Sequence, residues 1–278
     1  MRKIINGKEI AENILNSIKH KALAENTKPK LAVITYNADE RSKLYVGLKI
    51  KKAKEVGIEF EVLYWSGKDL DECKAEIKKL AKDESINGII AQLPMNGLDS
   101  FQEVLNLIPN SKDVDGLSDA SLEALKDNKQ TLTPATPRAI IEVIKSEQIN
   151  LNNKNILIIG QGKLVGLPLS IILKNKGYEV MTADSNTNNL NELTLDADII
   201  ISAAGVPKLI TGDMVKHDVI VLDAGAAEAN GKIVGDVDYE SVEPKASVIS
   251  KVPGGVGPVT VACLLENVIL CANKNENN

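Results

Sequence analysis

Histidine is nearly missing from this sequence. His20 and His217 are the only two, and both stand in charged surroundings that read as solvated surface. An imidazole-based triad and a histidine zinc site are thereby excluded. Cysteine is as scarce. Cys73, Cys263 and Cys271 are odd in number and lack metal-ligand spacing, so they read as reduced thiols and no metal is expected. Aromatic residues make up only 3% of the chain, too few for a surface that stacks unpaired bases. The net charge of −5 argues against a nucleic-acid partner. No stretch approaches the roughly 18 apolar residues of a membrane helix, and the start, MRKIINGKEI, has no apolar leader core. A cytoplasmic protein without a membrane partner is expected. The sequence also lacks internal repeats and low-complexity linkers.

What is present has the balance of a globular protein. Hydrophobic residues make up 44% and charged residues 26% of 278, and the length favours two domains. Ile10, Ile14, Ile18 and Ala22 give a helical period over 8–25. Strands follow at 30–36, 58–65 and 88–93, separated by helices at 40–56, closed by Gly57, and at 70–81. This βαβαβ order implies a parallel sheet covered by helices. A helix at 101–107 precedes the turn-rich PNSKDVDGLSDA. Residues 133–137 form a proline-marked junction, with Pro137 suited to the start of a helix over 138–148. The second half alternates again, with strands at 156–159, 178–183, 198–202, 219–223 and 247–250. A last helix is expected over 260–273, with the tail KNENN frayed.

The chain is organised around NILIIGQGKLVGLPLS, residues 155–170. An apolar β-branched strand runs into Gly160-Gln161-Gly162, and a helix over 164–176 follows, with Leu164, Leu169, Ile172 and Leu173 available for packing. Glycines let backbone approach a pyrophosphate, and the amides and dipole at a helix start favour its charge. The spacing is G-x-G-x-x-x-G, at 160, 162 and 166, which departs from the commonest dinucleotide fingerprint. An ordinary strand–helix turn has the same local features.

Four other places carry residues suited to chemistry. Tyr45 and Lys49 are four apart on one helix and share a face. A desolvated lysine can act as a general base, but Lys43, Lys51, Lys52 and Lys54 share this helix and spacing does not single out Lys49. Gln92 ends an apolar strand, where a polar side chain points into the ligand crevice of an open sheet or caps a neighbouring loop. Asp113 and Asp115, in KDVDG, suit either the donor edge of a planar ring or turn chemistry. PGGVGPVT, residues 253–260, holds three glycines between prolines, a loop whose backbone can pass close to a ligand.

Together these residues resemble the bifunctional methylenetetrahydrofolate dehydrogenase/cyclohydrolase (FolD) family over nearly the whole chain. The resemblance rests on Ser42-x-x-Tyr45-x-x-x-Lys49, Gln92-Leu93-Pro94, Lys112 to Gly116, Val165-Gly166-x-Pro168, Gly235-Asp236-Val237, and Pro253 to Pro258 with Thr260. It implies an α/β fold of two domains. A folate-binding catalytic domain would span 1–136 and be completed by a returning helix at 259–278, and a Rossmann domain would span 137–258. It implies a homodimer that oxidises 5,10-methylenetetrahydrofolate with NADP, or NAD, and hydrolyses the methenyl product to 10-formyltetrahydrofolate in one-carbon metabolism. By the same resemblance Lys49 moves the proton in hydrolysis, Gln92 orients Lys49, Tyr45 packs on the aminobenzoate ring and Asp115 binds the pterin edge. Pro253, Gly254, Gly255, Pro258 and Thr260 line the folate site. Gly160, Gln161, Gly162, Val165, Gly166, Asp184, Ser185 and Ala226 meet the cofactor.

The departures from the family pattern cluster on the cofactor side. Gln161-Gly162 stand where the family has Arg or Ala and then Ser, Asp184-Ser185 where it often has His-Ser, and Ala226-Ala227 where Ile-Asn is usual. Met95-Asn96 replaces Leu-Pro. Asp184 ends the second Rossmann strand, where an acid receives a ribose 2′-hydroxyl and repels a 2′-phosphate, or merely caps a turn. Two other readings compete: a catalytically reduced homologue that senses folate or nucleotide, and a two-domain dehydrogenase of another small acid.

Overall fold

The computed structural model describes residues 2–25, 28–66, 70–98, 101–129, 132–229 and 231–275. In chain order its elements are β1 (Lys3–Ile4), α1 (Gly7–Glu25), β2 (Lys30–Tyr36), α2 (Glu40–Glu55), β3 (Glu59–Trp65), α3 (Leu70–Lys82), β4 (Gly88–Ala91), α4 (Gln102–Leu105) and α5 (Asp119–Lys126). They continue with α6 (Ala135–Ser146), β5 (Ile156–Ile159), α7 (Gly166–Asn175), β6 (Val180–Ala183), α8 (Leu190–Asp196), β7 (Ile199–Ser202) and β8 (Val219–Asp223). The chain ends with β9 (Ala227–Ala229), β10 (Lys232–Val234), α9 (Tyr239–Val242), β11 (Ala246–Ile249) and α10 (Val256–Asn275). They fall into two compact units, one of residues 12–135 and 261–278, the other of 1–11 and 136–260.

In the 12–135 unit a parallel sheet runs in the order β3-β2-β4. β2, KLAVITY, is buried along nearly its whole length, as a central parallel strand with apolar residues on both faces must be. α3 presents Cys73, Ile77 and Leu80 to the core, one apolar stripe at helical spacing. α2 starts at Asp39, whose side chain accepts from the Ser42 amide at 2.7 Å. It ends before Gly57, whose φ of 79° is the left-handed turn that glycine allows.

In the other unit six parallel strands run in the order β1-β11-β8-β7-β5-β6. β5 and β7 are buried at every position. The N-terminal residues 1–11 belong here rather than with the first half, because β1 pairs with β11.

Several elements differ from the sequence reading. β1, the β9–β10 hairpin, α5, α8 and α9 were not expected; each is too short for its periodicity to register. α5 begins where Ser118 accepts from the Ser121 amide at 3.2 Å, inside the passage expected to be all turn. α7 starts at Gly166, not residue 164, and Leu164 is 44% exposed rather than packed. α10 starts at Val256, so Pro258 and Thr260 lie in a helix and only the first half of PGGVGPVT is loop. α10 also corrects the expectation on apolar stretches: Val256–Asn273 is long and apolar enough to cross a membrane, with a mean hydropathy of 1.6. Its apolar side chains, Leu264, Leu265, Val268 and Ile269 among them, are buried within the protein, which makes it a core helix. Of the tail expected to fray, residues 276–278 lie outside the described residues.

Candidate active site

Gln92 directly follows β4, and its amide continues the ladder to the Ile34 carbonyl at 2.8 Å. β2 lies between β3 and β4, and Gln92 stands at the carboxyl end of this parallel sheet, the end at which open α/β sheets bind ligands. Into this place α2 brings Lys49. Its Nζ donates to Gln92 Oε1 at 2.9 Å, and Gln92 Nε2 donates to the Leu93 carbonyl at 2.7 Å. The second bond holds the amide with its oxygen toward the lysine. Lys43 and Lys52 instead pair on the surface with Glu40 and Glu55, each at 2.7 Å. Tertiary placement thus separates Lys49 from its neighbours, which spacing did not. Tyr45, one turn earlier, is half-buried.

Burial pushes the Lys49 amine below the usual lysine range, and Asp115 only partly opposes this. Burial likewise raises the Asp115 carboxyl, against the pull of Lys49 and with the help of Asp113. Both residues keep some exposed area, but their ionisable ends are desolvated. The arrangement offers a weakly basic amine with a fixed acceptor, and a carboxyl that gains from a donor-rich ligand.

The two acids of KDVDG do different work. Asp113 Oδ1 accepts from the Gly116 and Leu117 amides at 2.9 and 3.3 Å, and its Oδ2 from the Ser118 amide and Ser121 hydroxyl at 2.8 and 2.7 Å. It is the turn residue, which leaves Asp115 as the motif's candidate for a ligand. Lys112 donates to the Leu80 and Asp83 carbonyls at 3.3 and 2.7 Å and ties the end of α3. Gly116 has a φ of 74°, and a Cβ there would stand 2.8 Å from Pro134. Asn96, unusual for the resembled family, exchanges amide–carbonyl bonds with Asn37, both at 3.0 Å, and joins the loops after β2 and β4.

In the other unit Gly160 ends β5 with a φ of 89°, and a Cβ there would lie 2.4 Å from the Ala203 carbonyl oxygen. A Cβ on Gly166 would lie 1.7 Å from the Gly160 carbonyl oxygen. Gly162 has open space around it, so the middle glycine is not sterically required. α7 starts at Val165–Gly166 with no side-chain cap on its amides. Tight glycines and an uncapped helix start at the point where the sheet's order reverses fit a pyrophosphate. Asp184 and Ser185 are exposed just beyond β6; Asp184 Oδ1 accepts from the Asn186 amide at 2.9 Å, which is the turn-capping role the sequence left open. Ala226 is exposed after Gly225. Pro253, Gly254 and Gly255 form the loop before α10, with Gly254 at a φ of 109° and its carbonyl accepting from the Gly7 amide at 3.1 Å. Thr260 Oγ1 donates to the Val256 carbonyl at 3.3 Å. Among the described residues no group of three metal-ligating side chains converges.

Sequence reasoning missed a buried carboxylate network. Asp236 accepts from Ser202 Oγ and the Ala204 amide, both at 2.7 Å, and from the Val206 amide at 2.9 Å. It therefore shapes the loop against which Gly160 packs. Asp223 accepts from the amides of Gly225, Asp236 and Val237 at 2.9, 3.2 and 3.0 Å. Gly225 and Gly235 are the sequence trace of this network: a Cβ on either would fall about 2 Å from a carboxylate atom of Asp236 or Asp223.

Family models place the chain. The catalytic domain of tetrahydrofolate dehydrogenase/cyclohydrolase matches residues 5–115, and the NAD(P)-binding domain of that family matches 134–276. A relative named bifunctional protein FolD, from Caldanaerobacter subterraneus subsp. tengcongensis, is 38% identical over 268 residues, 96% of each chain. The crystal structure of the bifunctional FolD methylenetetrahydrofolate dehydrogenase/cyclohydrolase of Campylobacter jejuni matches with a TM-score of 0.94 at 36% identity, over 99% of both chains. The FolD of Trypanosoma brucei, solved with NADP cofactor and inhibitor, matches with a TM-score of 0.93 at 27% identity, over 100% of this chain and 99% of its own.

The Asp223 carboxyl is pushed up to about 6, chiefly by burial. Its neutral form favours the folded state, so its contribution is complete below pH ~4 and is lost as pH rises through ~6, about 3 kcal/mol in all. Urea melts of the parent and of Asp223→Asn between pH 4 and 7 check this. The parent should lose stability relative to the variant across that window, and parallel curves would show that Asp223 is ionised throughout.

Proposed function

Because this chain belongs to the tetrahydrofolate dehydrogenase/cyclohydrolase family, we propose that Lys49, Gln92 and Asp115 carry the folate chemistry of its two activities. The enzyme oxidises 5,10-methylenetetrahydrofolate to the 5,10-methenyl form with NAD(P) and hydrolyses that product to 10-formyltetrahydrofolate. The observation that carries the proposal is the 2.9 Å bond from a desolvated Lys49 to a Gln92 amide held in place by the Leu93 carbonyl.

In this reading the pterin edge donates two hydrogen bonds to Asp115, whose carboxylate regains in the ligand the partners that burial denies it. Tyr45 packs on the aminobenzoate ring, and Pro253, Gly254, Gly255, Pro258 and Thr260 line the folate site. When bound, NAD(P) accepts the hydride that leaves the methylene carbon. Gly160, Gln161, Gly162, Val165 and Gly166 hold its pyrophosphate, and Asp184, Ser185 and Ala226 lie beside it. In hydrolysis water adds to the methenyl carbon as the neutral Lys49 amine takes its proton. The resulting ammonium rests on Gln92 Oε1 and gives its proton to N5 as the C–N5 bond breaks, while the adduct's hydroxyl loses its own proton to solvent and the carbon becomes the N10-formyl group. The desolvation of Lys49 favours the neutral amine from which this sequence starts. No observation favours the sensor or small-acid alternatives.

The enzyme is read as a cytoplasmic homodimer without nucleic-acid or membrane partners. β3 is an edge strand bonded only to β2 among the described strands, and the exposed Leu44, Leu48 and Tyr64 lie on α2 and β3. A second copy covering this edge accounts for apolar side chains that a monomer would leave in water.

Four measurements test this reading. Lys49→Met should lower hydrolysis of methenyltetrahydrofolate by about a hundredfold or more, while Asp115→Ala raises the folate KM and leaves the NADP KM near the parental value; a parental hydrolysis rate in Lys49→Met would reassign the base. NAD should support oxidation alongside NADP, and Asp184→Ser should raise the relative preference for NADP. Strict NADP use, unchanged by the substitution, would remove Asp184 from the ribose. Sedimentation should give a dimer that Leu48→Glu weakens, and a monomeric parent would refute the edge assignment.

A further inference from the structure

We infer that Asn267 is a positioning residue for the folate acceptor: its buried amide clamps the two backbone segments between which Asp115 is held. The inference rests on the reading of Asp115 given above. Asn267 sits on α10 with 0% of its surface exposed, beside the buried Leu264 and Val268. A polar side chain at such depth is costly unless it is bonded. Its Nδ2 donates to the Val114 carbonyl at 2.9 Å and to the Thr133 carbonyl at 2.9 Å.

These two acceptors bracket the acid. Val114 is the residue before Asp115. Thr133 precedes Pro134, whose ring lies where Gly116 has no room for a Cβ. The Asp115 carbonyl itself accepts from the Ala135 amide at 3.4 Å. One NH2 group, far along the chain, therefore ties the backbone on one side of Asp115 to the segment that packs on its other side. The depth of the clamp is set sterically. A Cβ on Gly88 would lie 2.7 Å from Val114 Cγ1 and 3.2 Å from Val268 Cγ2, so β4, the Asp115 loop and α10 close on one another. A leucine at 267 would fill the space and leave both carbonyls without this donor; a serine restores a single donor.

The consequence reaches Lys49. The charged groups that act on Asp115 are Lys49 from α2 and Asp113 from its own loop, and Asp115 in turn helps Lys49 keep its proton. Displacing Asp115 releases that help and lets Lys49 lose its proton at lower pH. General loosening of the fold would instead rehydrate Lys49 and move this midpoint to higher pH, the opposite direction.

The test uses Asn267→Leu and Asn267→Ser in the full chain, with Asp115→Ala as reference. The folate KM should rise about tenfold in Asn267→Leu, the worth of one buried hydrogen bond, and less in Asn267→Ser, with the NADP KM within about twofold of the parent. The acid limb of methenyltetrahydrofolate hydrolysis should move to lower pH in Asn267→Leu and in Asp115→Ala alike. Variants that melt cooperatively but keep the parental folate KM and pH midpoint overturn the inference, provided Asp115→Ala raises the KM. If Asp115→Ala leaves the KM unchanged, the assignment of Asp115 fails and the clamp has nothing to position. If neither Asn267 variant folds, the residue is a determinant of the fold and the inference is likewise overturned.

Discussion

Desolvation of one lysine is the constraint on which the site depends. Lys49 lies on a helix rich in lysines, and its amine is held below the usual range because burial removes the water that stabilises the charge. Burial alone would leave an unsatisfied donor. The bond to Gln92 Oε1 prevents this, and the bond from Gln92 Nε2 to Leu93 prevents the amide from turning away. Each part is supplied by a different element: α2 carries the amine, the end of β4 the amide, and the loop between α4 and α5 the carboxyl whose field Lys49 feels. A parallel sheet whose central strand is β2 brings these three together at the carboxyl end of its strands.

Buried carboxylates shape the loops of both units. Asp113 gathers amides from the turn that follows it and so leaves Asp115, two residues on, outside that turn's bonding. Asp223 and Asp236 gather amides from the segments after β7, β8 and β10 and bring the Ala203 carbonyl against Gly160. The carboxylates sit so close to backbone that glycine is enforced at 225 and 235. The glycines there are not signs of flexibility. They mark places where another group already occupies the Cβ position.

Much of this was legible in advance. The central strands β2, β5 and β8 follow from their apolar runs, because burial on both faces leaves few polar residues to confuse the pattern, and α2 follows from its length and the Gly57 stop. Short elements such as α5 and the β9–β10 hairpin were not legible, since a few residues hold too little periodicity and their ends are set by tertiary hydrogen bonds. The start of α10 inside PGGVGPVT was misread because proline is tolerated in a first helical turn. At the site, the motifs named Lys49, Gln92 and Asp115, but bare spacing gave no ground for choosing Lys49 over Lys43 or Lys52.

The sequence by itself determined the alternation of strands and helices, the two-domain organisation and the family motifs, because each is written in local pattern and composition. The tertiary structure decided which of several lysines loses its water, which aspartate of KDVDG serves the turn, and which glycines are compulsory. It also placed residues 1–11 with the far end of the chain and set Asn267 beside Val114, 153 positions away. These are properties of distance and burial between segments remote in sequence, and no local pattern encodes them.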